Sequence, residues 1–178
     1  MPSTRALVAA MLACIAAISA CRKERAVSDV VALANKVESR TIQLFFESPD
    51  LLLVPETRLL SLPANQAAAL SQVVAELLKG SANTAVPRLF PEDTVVRGAY
   101  LLPEGNAVVD LGGQTLTDGW NTGSHTELMA AYSLVHTLSA NFEIRRVRIL
   151  VNGQPVATLA GHVAIDRPLL PSGDAVKR

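Results

Sequence analysis

Arg145 to Leu159 reads RRVRILVNGQPVATL, and this stretch decides how the rest of the chain is organised. Val147, Ile149 and Val151 alternate with polar or flanking residues, the period of a half-buried strand. Asn152-Gly153 follows, and this pair predicts a type I′ turn because both central residues must take positive φ. The turn leads into a short return strand from Pro155 to Leu159. A sheet with a tight C-terminal hairpin is therefore the frame around which the remaining segments are placed.

Working towards the N-terminus, Ser124 to Ser139 reads as a helix with Leu128, Ala131, Tyr132, Val135 and Leu138 on its inner face. Ser124-His125-Thr126-Glu127 has the spacing of a capping box, with Ser124 as N-cap and Glu127 reaching back. Thr94 to Leu102 and Asn106 to Leu111 read as two strands joined by Pro103-Glu104-Gly105. Between them and the helix lies LGGQTLTDGWNTG, residues 111–123, the longest irregular stretch. Pro63 to Lys79 is a second helix, with Leu70, Val73, Val74, Leu77 and Leu78 as its stripe and Gly80 as a C′ residue. Earlier still, Thr41 to Glu47 alternates, Ser48-Pro49-Asp50 is turn chemistry, and Leu52 to Leu62 reads as extended with Pro55 at an edge or bulge. The expected architecture is α+β: a mixed β-sheet with two main helices packed on one face.

The N-terminus reads as an address. Arg5 supplies a positive charge, and residues 6–20 form an apolar run shorter than the roughly 20 residues a spanning helix needs. The run ends in Ile18-Ser19-Ala20-Cys21, similar to a bacterial lipobox. Small residues at Ser19 and Ala20 suit a peptidase cleft, and the Cys21 thiol can carry diacylglycerol through a thioether. Cleavage between Ala20 and Cys21 frees an amine for a further acyl chain such as palmitate, and two or more chains anchor a protein stably. Cys14, the other cysteine, lies in the discarded segment, so the mature chain forms no internal disulfide. Arg22 follows the anchor where an inner-membrane retention signal would carry aspartate. An extracytoplasmic, membrane-anchored product is expected, on the outer membrane if the host has two.

The expected layout is a signal peptide over 1–20, a tether or short helical stalk over 21–40, one domain over 41–170 and a flexible tail over 171–178. A chain of 178 residues suits one domain. Its 49% hydrophobic content is too high for a disordered chain, while 16 basic against 16 acidic residues argue against nucleic acid as main partner.

Several segments resemble the GerMN domain of sporulation and spore-germination lipoproteins. Leu44-Phe45-Phe46, Ser48-Pro49-Asp50 and Val54-Pro55-Glu56-Thr57-Arg58 resemble its start, and Ala107-Val108-Val109-Asp110-Leu111 its central strand. Glu127-Leu128 with Tyr132-Ser133-Leu134-Val135-His136-Thr137-Leu138 resembles its second helix. Ile149 to Val156, with Leu159-Ala160-Gly161-His162, resembles its C-terminal hairpin and is the most specific block. His136 departs from the pattern, since the family's helix usually carries asparagine there. The resemblance implies a compact α+β domain, similar to ring-building modules of envelope complexes, that works by protein contacts and brings no catalytic residues. The single-domain form also occurs in bacteria that never sporulate.

The chemistry-bearing residues agree with a non-catalytic reading. His125, His136 and His162 form no metal-ligand motif, and the first two are eleven residues apart, about 16 Å along a helix. No metal and no cofactor are expected. Ser124 beside His125 is explained as a cap rather than a nucleophile. Asp110, Asp118 and Glu127 are the carboxylates available for glycan cleavage, but Asp110 alternates outward and Glu127 belongs to the cap. Leu111-Gly112-Gly113 lacks the Lys-Ser/Thr of a phosphate loop. Surfaces remain. Arg145, Arg146 and Arg148 crowd one strand, either as a solvated face or as a docking patch for an acidic partner or lipid headgroups. Trp120 is either the anchor of its loop or a contact residue for a partner or glycan. The leading expectation is a lipid-anchored envelope interaction module with a protein partner. The alternative is a peptidoglycan- or glycan-binding protein or hydrolase centred on residues 111–123.

Overall fold

The computed structural model describes residues 37–177. The expected signal segment, the Ala20–Cys21 cleavage site and the tether up to residue 36 lie outside those residues. The compact unit begins at Glu38.

Two strands open the unit, β1 (Val37–Glu47) and β2 (Leu53–Pro63), which pair as their own two-stranded sheet. The alternation in β1 buries Ile42, Leu44 and Phe46 as the pattern predicts, but Phe45 is also buried. That end of the strand is covered on both faces. β1 starts four residues before the alternation does, because Val37 to Arg40 is exposed and is held by strand pairing rather than burial. The turn between the strands closes through Ser48 N–H donating to Leu52 O at 2.8 Å, with Leu51 at φ +60°.

Helix α1 (Gln66–Leu78) buries the predicted stripe. Its start is not at Pro63, which ends β2. Asn65 is the N-cap, its side-chain oxygen accepting from Ala68 N–H at 3.0 Å, the bond that a cap needs and proline cannot supply. Gly80 ends the helix at φ +89° and donates to Leu77 O at 3.0 Å. Arg58 of β2 reaches across to this end: its guanidinium donates to Gly80 O and Glu56 Oε1, both at 2.6 Å, and lies 5.5 Å from the centre of the Phe46 ring. A charged pair on β2 thus ties the two-stranded sheet to the C-terminus of α1.

The second sheet has four strands in the order β3 (Val95–Leu102), β4 (Asn106–Gly112), β5 (Arg146–Val151), β6 (Gln154–Pro155). β3 and β4 are antiparallel with a bulge at Arg97, β4 and β5 parallel, β5 and β6 antiparallel. The four-stranded sheet is the expected mixed sheet, and β1 and β2 add a separate two-stranded sheet to it. Asn152 and Gly153 take φ +51° and +76°, the predicted type I′ geometry. The return strand is shorter than expected, because Pro155 has no N–H to extend the ladder and the chain leaves the sheet.

A short helix, α2 (Gln114–Asp118), interrupts the stretch expected to be irregular. It is pinned by Leu116, which is buried, and by Asp93, whose carboxylate accepts from Thr115 N–H at 2.9 Å. Helix α3 (Ser124–Asn141) makes the crossover between the parallel strands β4 and β5. It is buried around most of its circumference, from Met129 through Leu138, with Ser133 and Thr137 fully covered. The polar positions are used: Thr137 Oγ1 accepts from Phe45 N–H at 3.0 Å, and the Asn141 amide exchanges two bonds with the backbone of Gln43. Side chains of α3 thereby occupy the open edge of β1.

The segment expected to be a flexible tail is tied down as far as Lys177. Ala175 is buried, Val176 bridges Leu53 in parallel, and Lys177 N–H donates to Leu53 O at 3.0 Å. Backbone pairing holds a segment too short to show any hydrophobic period.

Candidate functional site

Glu127 carries the largest difference between sequence reading and structure. Gly123, not Ser124, precedes the first turn of α3, and no side chain caps it. Glu127 turns inward instead and is fully buried. Its Oε1 accepts from Leu159 and Ala160 N–H, both at 2.8 Å, and its Oε2 accepts from His162 N–H at 2.8 Å. His162 Nδ1 adds a contact at 3.1 Å. A buried carboxylate needs such donors, because isolation in an apolar interior is costly. Burial pushes its pKa up, but the N–H groups of Ala160, His162, Leu159 and Val163 outweigh this and hold it below the ordinary range. Both oxygens are occupied by protein donors, so the group acts as a clamp on residues 159–163.

The other candidate carboxylates bond locally, Asp110 half-buried and Asp118 exposed. Asp110 accepts from Gly153 N–H at 2.7 Å and pairs with Arg97 at 3.1 Å, which ties the type I′ turn to β4. Asp118 accepts from Gln114 at 3.1 Å within α2. The histidines are apart: His125 meets Glu47 at 2.8 Å, His136 bonds Ser172 at 3.0 Å, and His162 is on Glu127. Among the described residues no three His, Cys, Asp or Glu side chains group to hold a metal.

Trp120 is half-buried and stacks on the buried Phe90, with centroids 6.4 Å apart and planes at 17°. The glycine-rich stretch around it is further held by Asn152 donating to Thr117 Oγ1 at 2.7 Å. Arg145 and Arg146 are exposed, and Arg148 is half-exposed with Nη1 donating to Asp166 O at 3.2 Å. Arg146 and Arg148 share the β5 face opposite the buried Val147, Ile149 and Val151.

Beside Arg146 is a groove of about 690 Å³, walled by Tyr132 of α3 and by residues 164–172. Sequence reasoning missed this wall. Leu169 exchanges two backbone bonds with Val147, at 2.9 and 2.8 Å, so the segment runs along the β5 edge. Its only sequence signal is the paired prolines, Pro168 and Pro171, which favour extended backbone.

The model of the Germane family, sporulation and spore germination, matches residues 43–157. The chain belongs to the Germane family. The match covers β1 through β6 almost entirely and stops before the clamped loop and the groove wall. The first GerMN domain of the sporulation protein GerM from Bacillus subtilis has a similar structure at 19% identity, with a TM-score of 0.54 over 78% of this chain and 98% of that one. The tandem GerMN domains of the same protein align at 16% identity and a TM-score of 0.55, over 79% of this chain. This chain spans 48% of that tandem, about one of its two domains. A Clostridium perfringens protein described as a lipoprotein aligns at 16% identity and a TM-score of 0.53, over 75% of this chain and 87% of its own. At such identities the likeness is one of fold. No curated protein matches by sequence. The Germane fold accounts for the α+β architecture, with two main helices and a mixed sheet.

Proposed function

We propose that this Germane protein is a lipid-anchored component of the cell envelope that works by binding another protein and carries out no chemistry of its own. The observation that carries the reading is the disposition of charge. The buried or half-buried acids Glu127, Asp110 and Glu56 are each saturated by internal donors, whereas Arg146 and Arg148 on β5, and Arg145 just before it, present guanidinium groups at the surface. Acid–base catalysis needs a titratable group open to a substrate, and a docking surface needs charge that is not already neutralised. The resemblance of Ile18-Ser19-Ala20-Cys21 to a lipobox supports the anchor, and so does the lipoprotein description of the Clostridium perfringens structure. Crosslinking in the native envelope tests the reading: one specific protein partner is expected. Turnover of purified peptidoglycan by the chain would overturn it in favour of the glycan-directed alternative at residues 111–123.

A further inference from the structure

The groove beside β5 has a fastened outer wall and arginines in its lining. Its outer wall is fastened at separate points: Ile165 N–H to Ala157 O at 2.8 Å, Leu169 to Val147 by two bonds, and Ser172 to His136. Pro168 and Pro171 stand on either side of the bridge and carry no N–H. A partner strand therefore finds few main-chain donors along this edge, and recognition falls to side chains.

Those side chains are of two kinds. Arg146 and Arg167 line the groove, and Asp166 is the acid beside them. Among the described residues no carboxylate pairs with Arg146, and Arg148 next to it spends its bond on the Asp166 carbonyl. Arg167 lies 4.0 Å from Asp166 in a pair so exposed that water screens it. Against this positive charge stands an apolar stretch: Leu170, which is 56% exposed, with Pro171 and the ring of Tyr132.

We propose that this groove binds an extended acidic peptide segment of the partner, with carboxylates on Arg146 and Arg167 and an apolar side chain against Leu170 and Tyr132. The inference rests on the protein-binding reading above and deepens it. A guanidinium fork matches a carboxylate in two parallel bonds, so two arginines select acidic side chains over neutral ones. A recess of about 690 Å³ is the size of pockets that enclose small ligands, large enough for a few side chains. The apolar half of the recess separates this ligand from a headgroup layer, which asks for basic charge alone.

The test uses the full chain in phosphatidylcholine nanodiscs, titrated with a fluorescent capped hexapeptide that alternates glutamate and leucine. Saturable binding is expected, with none for the lysine–leucine counterpart. Arg167→Glu should weaken it at least tenfold and Leu170→Asp several-fold, while Leu59→Glu, on the exposed face of β2, leaves it unchanged. Equal binding of both peptides, or indifference to Arg167→Glu and Leu170→Asp, overturns the proposal. So does co-flotation with phosphatidylglycerol vesicles in the absence of peptide binding, which assigns the arginines to a lipid surface. If the crosslinked partner survives Arg167→Glu and Leu170→Asp but is lost when Arg146 and Arg148 are reversed, the groove is refuted and the docking face stands. A wild-type chain that captures no partner refutes the interaction reading itself.

Discussion

His162 is bound to Glu127 twice, through its backbone N–H at 2.8 Å and its ring Nδ1 at 3.1 Å, across 35 residues of chain. One residue on the crossover helix thereby sets the path of the chain after the C-terminal hairpin. Leu159 and Ala160 complete the clamp from the same loop. The loop then delivers the chain to the groove wall, so the clamp lies structurally upstream of the candidate docking surface.

Glu127→Gln should destabilise the domain by roughly 3 kcal/mol, because one amide oxygen cannot replace two charged acceptors for four donors. Urea unfolding measures the loss. Hydrogen exchange at Leu159, Ala160 and His162 should quicken beyond the global effect. His162→Ala removes only the half-exposed ring contact and should cost less than about 1 kcal/mol.

Acid should weaken the fold in two separable windows. Burial holds the His136 imidazole below its ordinary pKa, partly offset by Ser172, so the folded state favours the neutral ring. Stability from this group is complete above about pH 6.5 and declines as pH falls through the folded value. Glu127 follows the same sign lower down: its contribution is present above about pH 4.3 and lost as pH falls through its depressed folded pKa. His136→Asn should flatten the stability curve in the upper window and leave the lower one. Urea midpoints measured from pH 2 to 8 separate the two.

Gly105 and Gly119 both have positive φ, +72° and +107°, but only one is crowded. A Cβ at Gly105 would stand 2.9 Å from the Glu143 carbonyl oxygen, whereas nothing lies within 4 Å at Gly119. Gly105→Ala should therefore cost roughly 2–3 kcal/mol, and Gly119→Ala roughly 1 from backbone strain alone. Thermal unfolding of the two variants gives the comparison directly.

Cys21→Ala should release the protein from membranes or block its processing, since the thiol is the attachment atom in the proposed anchor. Fractionation reads the result, and a variant that stays membrane-bound removes the anchor from the functional reading.

Arg146→Glu with Arg148→Glu should abolish capture of the envelope partner while changing stability by less than about 0.5 kcal/mol, as expected for surface positions without buried partners. Unfolding curves beside the crosslinking keep loss of docking distinct from loss of fold.

Local signals were legible wherever one residue's backbone geometry or one element's period was enough. The Asn152-Gly153 turn, the apolar stripe of α1 and the alternation in β5 required no knowledge of distant residues. The Ser124–Glu127 motif has the spacing of a cap, yet Gly123 takes the cap position and Glu127 bonds a loop more than thirty residues away. Both uses satisfy a carboxylate, and local spacing cannot choose between them. The all-round burial of α3 follows from β1 and β2 forming a separate sheet, which no strand pattern announces.

By itself, the sequence determined the order and type of the main elements, the type I′ hairpin and the kinship carried within residues 43–157. These depend on φ/ψ preference and on hydrophobic period, which are properties of neighbours along the chain. Only the tertiary structure decided that there are two sheets, that Glu127 is a buried clamp, that the last residues are fastened to β2, and that Arg146 stands at a groove. Each of these depends on which segments close upon each other, and that outcome is set by the summed burial and pairing of the whole core.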